Sequence, residues 1–438
     1  MSFNKKLLSA DGLYEAIHNC IQKIPLPDDT KSKYSWADCI MSGLAVFGLK
    51  SPSLLQFEDF ITNNSPIINN LKKLYKIKQI PSDTRLRERL DELSPSSLRL
   101  PFRKIFSNLQ KSKILEQYKY LDGSYIVSVD GTGHYSSSKV SCKNCCEKQH
   151  RNGSMTYYHQ MLGAAIVHPE HKAVIPFAPE PITKQDGNNK NDCESNASKR
   201  FLKLLRTEHP HLRMLIVEDS LSSNYPHLSL LDSLNMNYII GAKPKDHKLL
   251  FDWVKAKGMN KYEFTDDQGV EHYFEYFNQA PLNHANFDYK VNFLSYTQTN
   301  AKGKKIRFSW VTSLVITEDN LYKIMRAGRS RWRIENETFN TLKNQGYNFE
   351  HNYGHGKKNL CTVMSMLLLL TFFVDQVQLL CCKKYIQAKN KRSRFSVLFE
   401  TVRSYFSLFL WESWDELYTR VGWNHNEMAQ PPPMKMMF

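Results

Sequence analysis

The sequence predicts a mixed sheet flanked by helices, an α/β or α+β core, interrupted by an all-β insertion and bracketed by a helical N-terminal and a helical C-terminal region. Three observations carry that prediction. Between residues 125 and 241, short β-rich apolar runs alternate with helical patterns. Between 245 and 316, aromatic strand-like runs are separated by hairpin turn chemistry. Outside these limits apolar residues recur at helical spacing. The 438 residues suffice for two or three domains with a sizeable core, and 41% hydrophobic with 12% aromatic content excludes a disordered chain.

Residues 1–118 read as helical. Trp36, Ile40, Leu44 and Phe47 share one helical face, and residues 84–90 form a basic helix with Ser82 or Asp83 as N-cap. That helix is either a reader of DNA ends or a solvated surface. Residues 119–244 form the first part of the core. Strands are expected at 125–130, 161–167, 173–177, 214–219 and 238–241, with helices at 196–206 and 226–234. Residues 245–316 form the insertion, with strands at 273–277, 289–296 and 306–316 and turns at Asp267-Gln268-Gly269 and Lys302-Gly303-Lys304-Lys305. Residues 317–380 return to the core through a helix over 319–345, C-capped by Gly346, and residues 381–438 are a basic helical region ending in a proline tail at 431–433.

Lys and Arg outnumber Asp and Glu by 59 to 43, a net charge of +16 that favours a polyanion, DNA or RNA, as partner. The longest apolar run, 363–374, falls short of the roughly 20 residues a membrane span needs, so a buried helix and no membrane association are expected. The N-terminus has no apolar stretch of the signal-peptide kind, and nine cysteines, an odd number, read as reduced thiols of a cytoplasmic protein.

The densest chemistry lies between Arg329 and Glu337, where Arg329, Arg331 and Arg333 alternate with the acids Glu335 and Glu337 on a helix. Two further acids, Asp130 and Asp219, each end an apolar strand. Carboxylates at the C-terminal ends of strands face the edge where open sheets bind ligands. Three of them suit Mg²⁺, which keeps several waters and completes its shell with substrate phosphate. A plainer reading makes Asp130 the cap of the Gly131-Thr132-Gly133 turn and Asp219 the N-cap of the next helix.

Arg331-Trp332-Arg333-Ile334-Glu335, with Phe339 and Lys343 behind it, resembles the signature of DDE-type insertion-sequence transposases of the cut-and-paste group, which have an RNase H-like core and a β-rich insertion domain. The resemblance spans roughly 120–360. Ser128-Val129-Asp130-Gly131-Thr132 matches the family's first Asp, and Val217-Glu218-Asp219-Ser220 its second. The family's Glu follows its Arg by four, selecting Arg331 and Glu335, with Glu337 as the alternate. Gly328 stands where the family has Tyr, and Lys343 follows Glu335 by eight where the family has seven. The resemblance implies metal-dependent strand cleavage and strand transfer at the ends of a mobile element. Asp130, Asp219 and Glu335 would hold two Mg²⁺ or Mn²⁺ ions, and Arg326, Arg329, Arg331, Arg333 and Lys343 would grip DNA phosphates. It also implies terminal inverted repeats and target DNA as substrates, a homodimer on DNA, a role for the N-terminal region at DNA ends, and a setting in the bacterial cytoplasm, at the nucleoid when bound. The alternative is a catalytically silent DNA-binding relative or repressor.

Cys142, Cys145, Cys146 and His150, with His159 near, offer a possible Zn²⁺ site, against loop thiols with no metal. The polar loop 185–194 and Glu180, between two prolines, are candidates to approach the active-site edge, with a solvated loop as the default.

Overall fold

The computed structural model describes residues 6–26, 32–62, 64–184 and 193–423. The proline tail and most of the polar loop, 185–192, lie outside the described residues. Helices α1 (Ala10–Ile21), α2 (Trp36–Gly48), α3 (Leu54–Ile61), α4 (Ser65–Leu74), α5 (Asp83–Glu92) and α6 (Arg99–Lys111) precede the first strand. Ser9, Ser35, Ser53 and Asn64 cap four of them, each accepting a backbone N–H with its side-chain oxygen. Trp36, Ile40, Leu44 and Phe47 are all buried, and α2 is buried nearly all round. In α5 Arg85 pairs with Glu88, Arg87 with Asp83, and Arg89 with Glu92 while lying 3.9 Å over the Trp36 ring. The three arginines are thus answered by acids of their own helix.

The described strands form one mixed sheet. Its spine is β2 (Cys146–Gln149), β3 (Met155–His168), β1 (Tyr125–Ser137), β6 (Met214–Glu218) and β7 (Asn237–Gly241), with β4 (His171–Pro176) and β5 (Glu180–Ile182) also on β3. β1 runs antiparallel to β3 and parallel to β6, and β6 is parallel to β7. Helices α7 (Glu194–Glu208) and α8 (Tyr225–Ser233) join the parallel strands.

Residues 245–316 depart from expectation twice. They are not all-β: α9 (Lys248–Lys257) buries Leu250 and Val254, four residues apart on one face. Nor do their strands stand apart. β8 (Asn260–Thr265), β9 (Glu271–Pro281), β10 (Lys290–Thr299) and β11 (Lys305–Thr312) continue the same sheet, because β11 pairs with β7. Both expected turns form, with Gly269 and Gly303 at positive φ. β2, β5 and β8 were not apparent in the sequence.

The single helix expected over 319–345 is broken. α10 (Leu321–Arg329) ends where the Ser330 hydroxyl donates back to the Arg326 carbonyl at 2.8 Å, a local bond that bends helices. Bonds from Arg331, Arg333 and Ile334 to the residue three before tighten the next turn. The backbone then opens into a π turn (Ile334–Asn340) before α11 (Thr341–Asn344). Gly346, at φ +90°, follows the end as predicted.

Helix α12 (Leu360–Cys381) is long and apolar enough to cross a membrane, yet it is buried inside the fold. It packs on α2, α5 and β4. α13 (Lys383–Asn390), α14 (Phe395–Leu408) and α15 (Trp414–Val421) fold back on it and on the N-terminal helices, so the two ends of the chain share one core. A buried Lys50–Asp375 ion pair of 2.7 Å, with the Tyr347 hydroxyl also donating to Asp375, joins them.

Gly328 sits where α10 crosses the sheet. A Cβ there would lie 2.7–2.8 Å from the Trp310 indole and 3.1 Å from Ile239, so the position has no room for the tyrosine of the resembling motif. Tyr322 instead packs edge-on against Phe264 and His272. Gly328→Ala is therefore expected to cost about 1–3 kcal/mol through overpacking, read as a lower denaturant midpoint at unchanged slope.

Candidate active site

The β1–β6 register pairs Ser128 with Val217. Asp130 lies two residues further along β1, and Asp219 two residues beyond Val217, one past the end of β6. Asp219 N-caps the next turn as the plainer reading has it, but Asp130 neither ends its strand nor caps a turn: β1 runs on through Gly131-Thr132-Gly133 to Ser137, and Asp130 caps only the neighbouring N–H. Asp130 Oδ1 accepts from the Gly131 N–H at 3.0 Å, and Asp219 Oδ1 from the Leu221 N–H at 2.9 Å. Capping leaves Asp130 Oδ2 to Arg331, whose Nη1 lies 3.4 Å away.

The broken helix delivers the third acid. The Ser128 hydroxyl donates to the Arg331 carbonyl at 2.9 Å, fixing the tight turn against β1 two residues before Asp130. The Phe339 ring lies on Gly163, the β3 partner of Asp130, where a Cβ would come within 2.8 Å of it. Between these two anchors Arg331 Nη1 reaches Glu335 Oε1 at 2.6 Å, so one guanidinium bridges Asp130 and Glu335. Burial, reinforced by Glu335 and only partly countered by Arg331, pushes Asp130 up to about 7. Glu337 turns elsewhere and pairs with Arg333 at 3.9 Å.

The basic residues divide. Arg333 donates to the Pro169 carbonyl at 2.8 Å and is largely buried, with its pKa lowered by that burial. Arg326 pairs with Glu170 and Lys343 with Glu350, each at 2.9 Å. Arg329 bonds Gln298 at 2.9 Å, stacks over Phe308, and lines a groove of about 740 Å³ beside Asp219. Lys243, Arg307 and Trp332 line it too, Trp332 being 44% exposed. Between Glu335 and Lys343 the backbone passes from the π turn into α11.

Two acids beside the site carry other roles. Glu218, buried behind Asp219, bonds the Ser198 hydroxyl at 3.0 Å and His227 Nε2 at 2.5 Å. Glu194, at the start of α7, packs its carboxyl where a Gly131 Cβ would stand, and its pKa is raised by burial and then by Asp219. The polar loop thus does approach the site at this residue; sequence signalled it only by the loop's acidic character. Glu180 does not: it pairs with Arg200 at 3.1 Å.

The cysteine set needs correction. Cys142 and Cys145 lie together, 3.9 Å between sulfurs, but Cys146 faces the Ile182 carbonyl and His150 bonds Thr156. In their place stand His159, 3.4 Å from Cys142 and 3.3 Å from Cys145, and His355, 3.3 Å from Cys145. His355 is some 200 residues away in sequence and carries no local motif that announces it.

The transposase DDE domain family matches residues 123–373. Curated proteins include no match. Among solved structures, a piggyBac transposase synaptic complex with hairpin DNA is similar at 11% identity and a TM-score of 0.40, covering 92% of this chain and 80% of that one.

Asp130 supplies a sign test. Its folded pKa of about 7 stands above the ordinary carboxylate value of 3.8, so the fold favours the neutral form, and that contribution to stability is lost as pH rises through about 7. In chelator, Asp130→Asn should raise Tm at pH 8 by about 1–2 °C, with the difference vanishing as pH falls toward 4. A lower Tm at pH 8 would mean that the Arg331 contact outweighs burial.

Proposed function

Because the chain belongs to the transposase DDE domain family, we propose that it cuts and joins DNA at the ends of an insertion sequence, using Asp130, Asp219 and Glu335. The observation that carries this reading is the meeting of Asp130 and Glu335 across Arg331, with Asp219 just past the end of the neighbouring parallel strand. On this reading the strands around β1 form an RNase H-like core, and residues 245–316 are the insertion between the second Asp and the Glu.

The donor set fits a hard divalent cation. It is all oxygen, partly buried, and crowded enough that one carboxyl holds its proton to about 7. Asp130, Asp219 and Glu335 would hold two Mg²⁺ or Mn²⁺ ions, which when bound would activate the attacking group and neutralise charge on the leaving oxygen. The chain's own residues do the rest. Arg331 orients both carboxylates and stands within reach of a phosphate beside them. Arg329, Arg307 and Lys243 give the groove next to Asp219 a cationic wall, and exposed Trp332 offers a face for a base or sugar. Lys343 exchanges Glu350 for a phosphate when DNA is present. Arg326 would exchange Glu170 for a phosphate in the same way, and Arg333, bonded to the Pro169 carbonyl, would support the segment that carries the grip. Since two element ends must be cut and joined together, two copies of the chain act on DNA.

Mg²⁺- or Mn²⁺-dependent nicking of duplex carrying the element's terminal repeats tests the reading. Asp130→Asn, Asp219→Asn and Glu335→Gln should each reduce nicking by more than about a hundredfold, while Glu337→Gln keeps most of it. Equal activity in Glu335→Gln and loss in Glu337→Gln would exchange the two glutamates.

The groove makes a separate prediction for binding alone. Arg329→Ala and Lys243→Ala should weaken DNA binding across sequences and each reduce the log–log salt slope by about 0.9. An unchanged slope would put the DNA elsewhere.

A further inference from the structure

We propose that Cys142, Cys145, His159 and His355 bind one zinc ion, a structural site that clamps the outer end of the β1–β3 ladder to the segment entering α12. The four donor atoms lie within 4.8 Å of one another, and Cys145, His159 and His355 are buried. Two sulfurs and two imidazole nitrogens are the borderline-soft donors that zinc takes in closed tetrahedral sites. The spacings agree: with Zn–S near 2.3 Å and Zn–N near 2.0–2.1 Å, a tetrahedron has edges of roughly 3.3–3.8 Å. Here the sulfurs are 3.9 Å apart and the sulfur–nitrogen contacts are 3.3–3.4 Å. A disulfide would need about 2.05 Å between the sulfurs.

The surroundings are arranged for a ligand. His355 Nδ1 faces the Gly356 carbonyl at 3.2 Å, so that nitrogen carries the proton and the Nε2 lone pair points at the sulfurs, the outer hydrogen bond typical of metal-bound histidine. Asn144, inside the Cys142–Cys145 turn, donates to the Lys358 carbonyl at 2.6 Å, tying the turn to the same segment. Asp91 takes the next four backbone N–H groups, from Lys357 to Leu360, at 2.9–3.0 Å. His134 and Cys361 lie against His159 on its far side. Burial pushes His134 down to about 3, and neither of its ring nitrogens has a hydrogen-bond partner among the described residues.

All four positions are filled by protein, so no place remains for a substrate. Along the ladder His159 pairs with Tyr135 and Gly163 with Asp130. Four residues of strand, about 13 Å, therefore separate the proposed zinc from the acids. The two sites are distinct in place and in donor chemistry.

The test uses the full chain purified from zinc-supplemented medium and dialysed exhaustively. Elemental analysis should find about one zinc per chain. Cobalt substitution should give thiolate charge-transfer bands together with the visible bands of a tetrahedral site. His355→Ala should lower zinc content at least tenfold, whereas Cys146→Ala, His150→Ala and His134→Ala should keep it. If His355→Ala does not fold, the cobalt spectrum of the unaltered protein still decides. No retained zinc, a cobalt spectrum without thiolate bands, a Cys142–Cys145 disulfide by mass, or zinc loss in Cys146→Ala or His134→Ala would each overturn the assignment. None of these readouts depends on DNA cleavage.

Discussion

Like charges have to be held together here against their repulsion, and much of the architecture follows from that need. Asp130 lies inside β1 and Asp219 just past the end of β6, the parallel neighbour of β1, and Glu335 is brought to Asp130 across Arg331 from a segment 116 residues after Asp219. A carboxylate cluster of this kind does not persist on flexible supports. It sits on strands buried on both sides, whose apolar runs Ile126–Val127 and Leu215–Val217 are fully or almost fully enclosed. The Glu335 segment is fixed from both sides, by the Ser128 hydroxyl on the Arg331 carbonyl and by Phe339 filling the space that Gly163 leaves open. The sequence Ser330-Arg331 then a π turn is the local consequence. An unbroken α-helix lacks the widened turn that carries Glu335 toward Asp130.

Alternation along a strand explains why one acid of a neighbouring pair faces the groove. Glu218 and Asp219 are adjacent, so their side chains leave opposite faces of the sheet. Glu218 goes inward, where Ser198 and His227 satisfy it, and Asp219 goes out to the groove. A buried carboxylate without those partners would cost several kcal/mol. The His227 contact ties α8 to β6, which holds the strand end from behind.

The parts legible in the sequence are those encoded over short range. Periodicity located the strands that carry Asp130 and Asp219, because fully buried strands read as continuous apolar runs. The hairpin glycines at 269 and 303 were legible for the same reason, since a positive φ selects glycine locally. What escaped was set by distant partners. Helix α9 has only two fully buried apolar residues, too weak a stripe to stand out among aromatic strands. That β11 would dock on β7 is a property of edges rather than of either strand's composition. Cys146 and His150 were natural choices from spacing, yet β2 turns Cys146 toward Ile182 and His150 toward Thr156. His159 and His355 reach the sulfurs only because β3 and the loop before α12 fold back there.

The charge balance of the site leads to its chemistry. Asp130, Asp219 and Glu335 bring up to three negative charges, and Arg331 touches two of them. Burial, with Glu335 beside it, keeps the Asp130 pKa raised despite that guanidinium, and Glu194, raised by burial and then by Asp219, adds a fourth carboxyl at the rim. The other arginines of the segment do not help: Arg333 is committed to Pro169 and Arg326 to Glu170. Meanwhile the adjoining groove wall is cationic through Lys243, Arg307 and Arg329. Negative charge is therefore concentrated at the strand ends and positive charge along the wall beside them. A polyanion laid along that wall would bring its own negative charge to the acids, which increases their deficit of cations. Small, multiply charged cations between the acids and the polyanion would remove the conflict, so on the proposed function the binding of DNA and of metal at this site would reinforce one another.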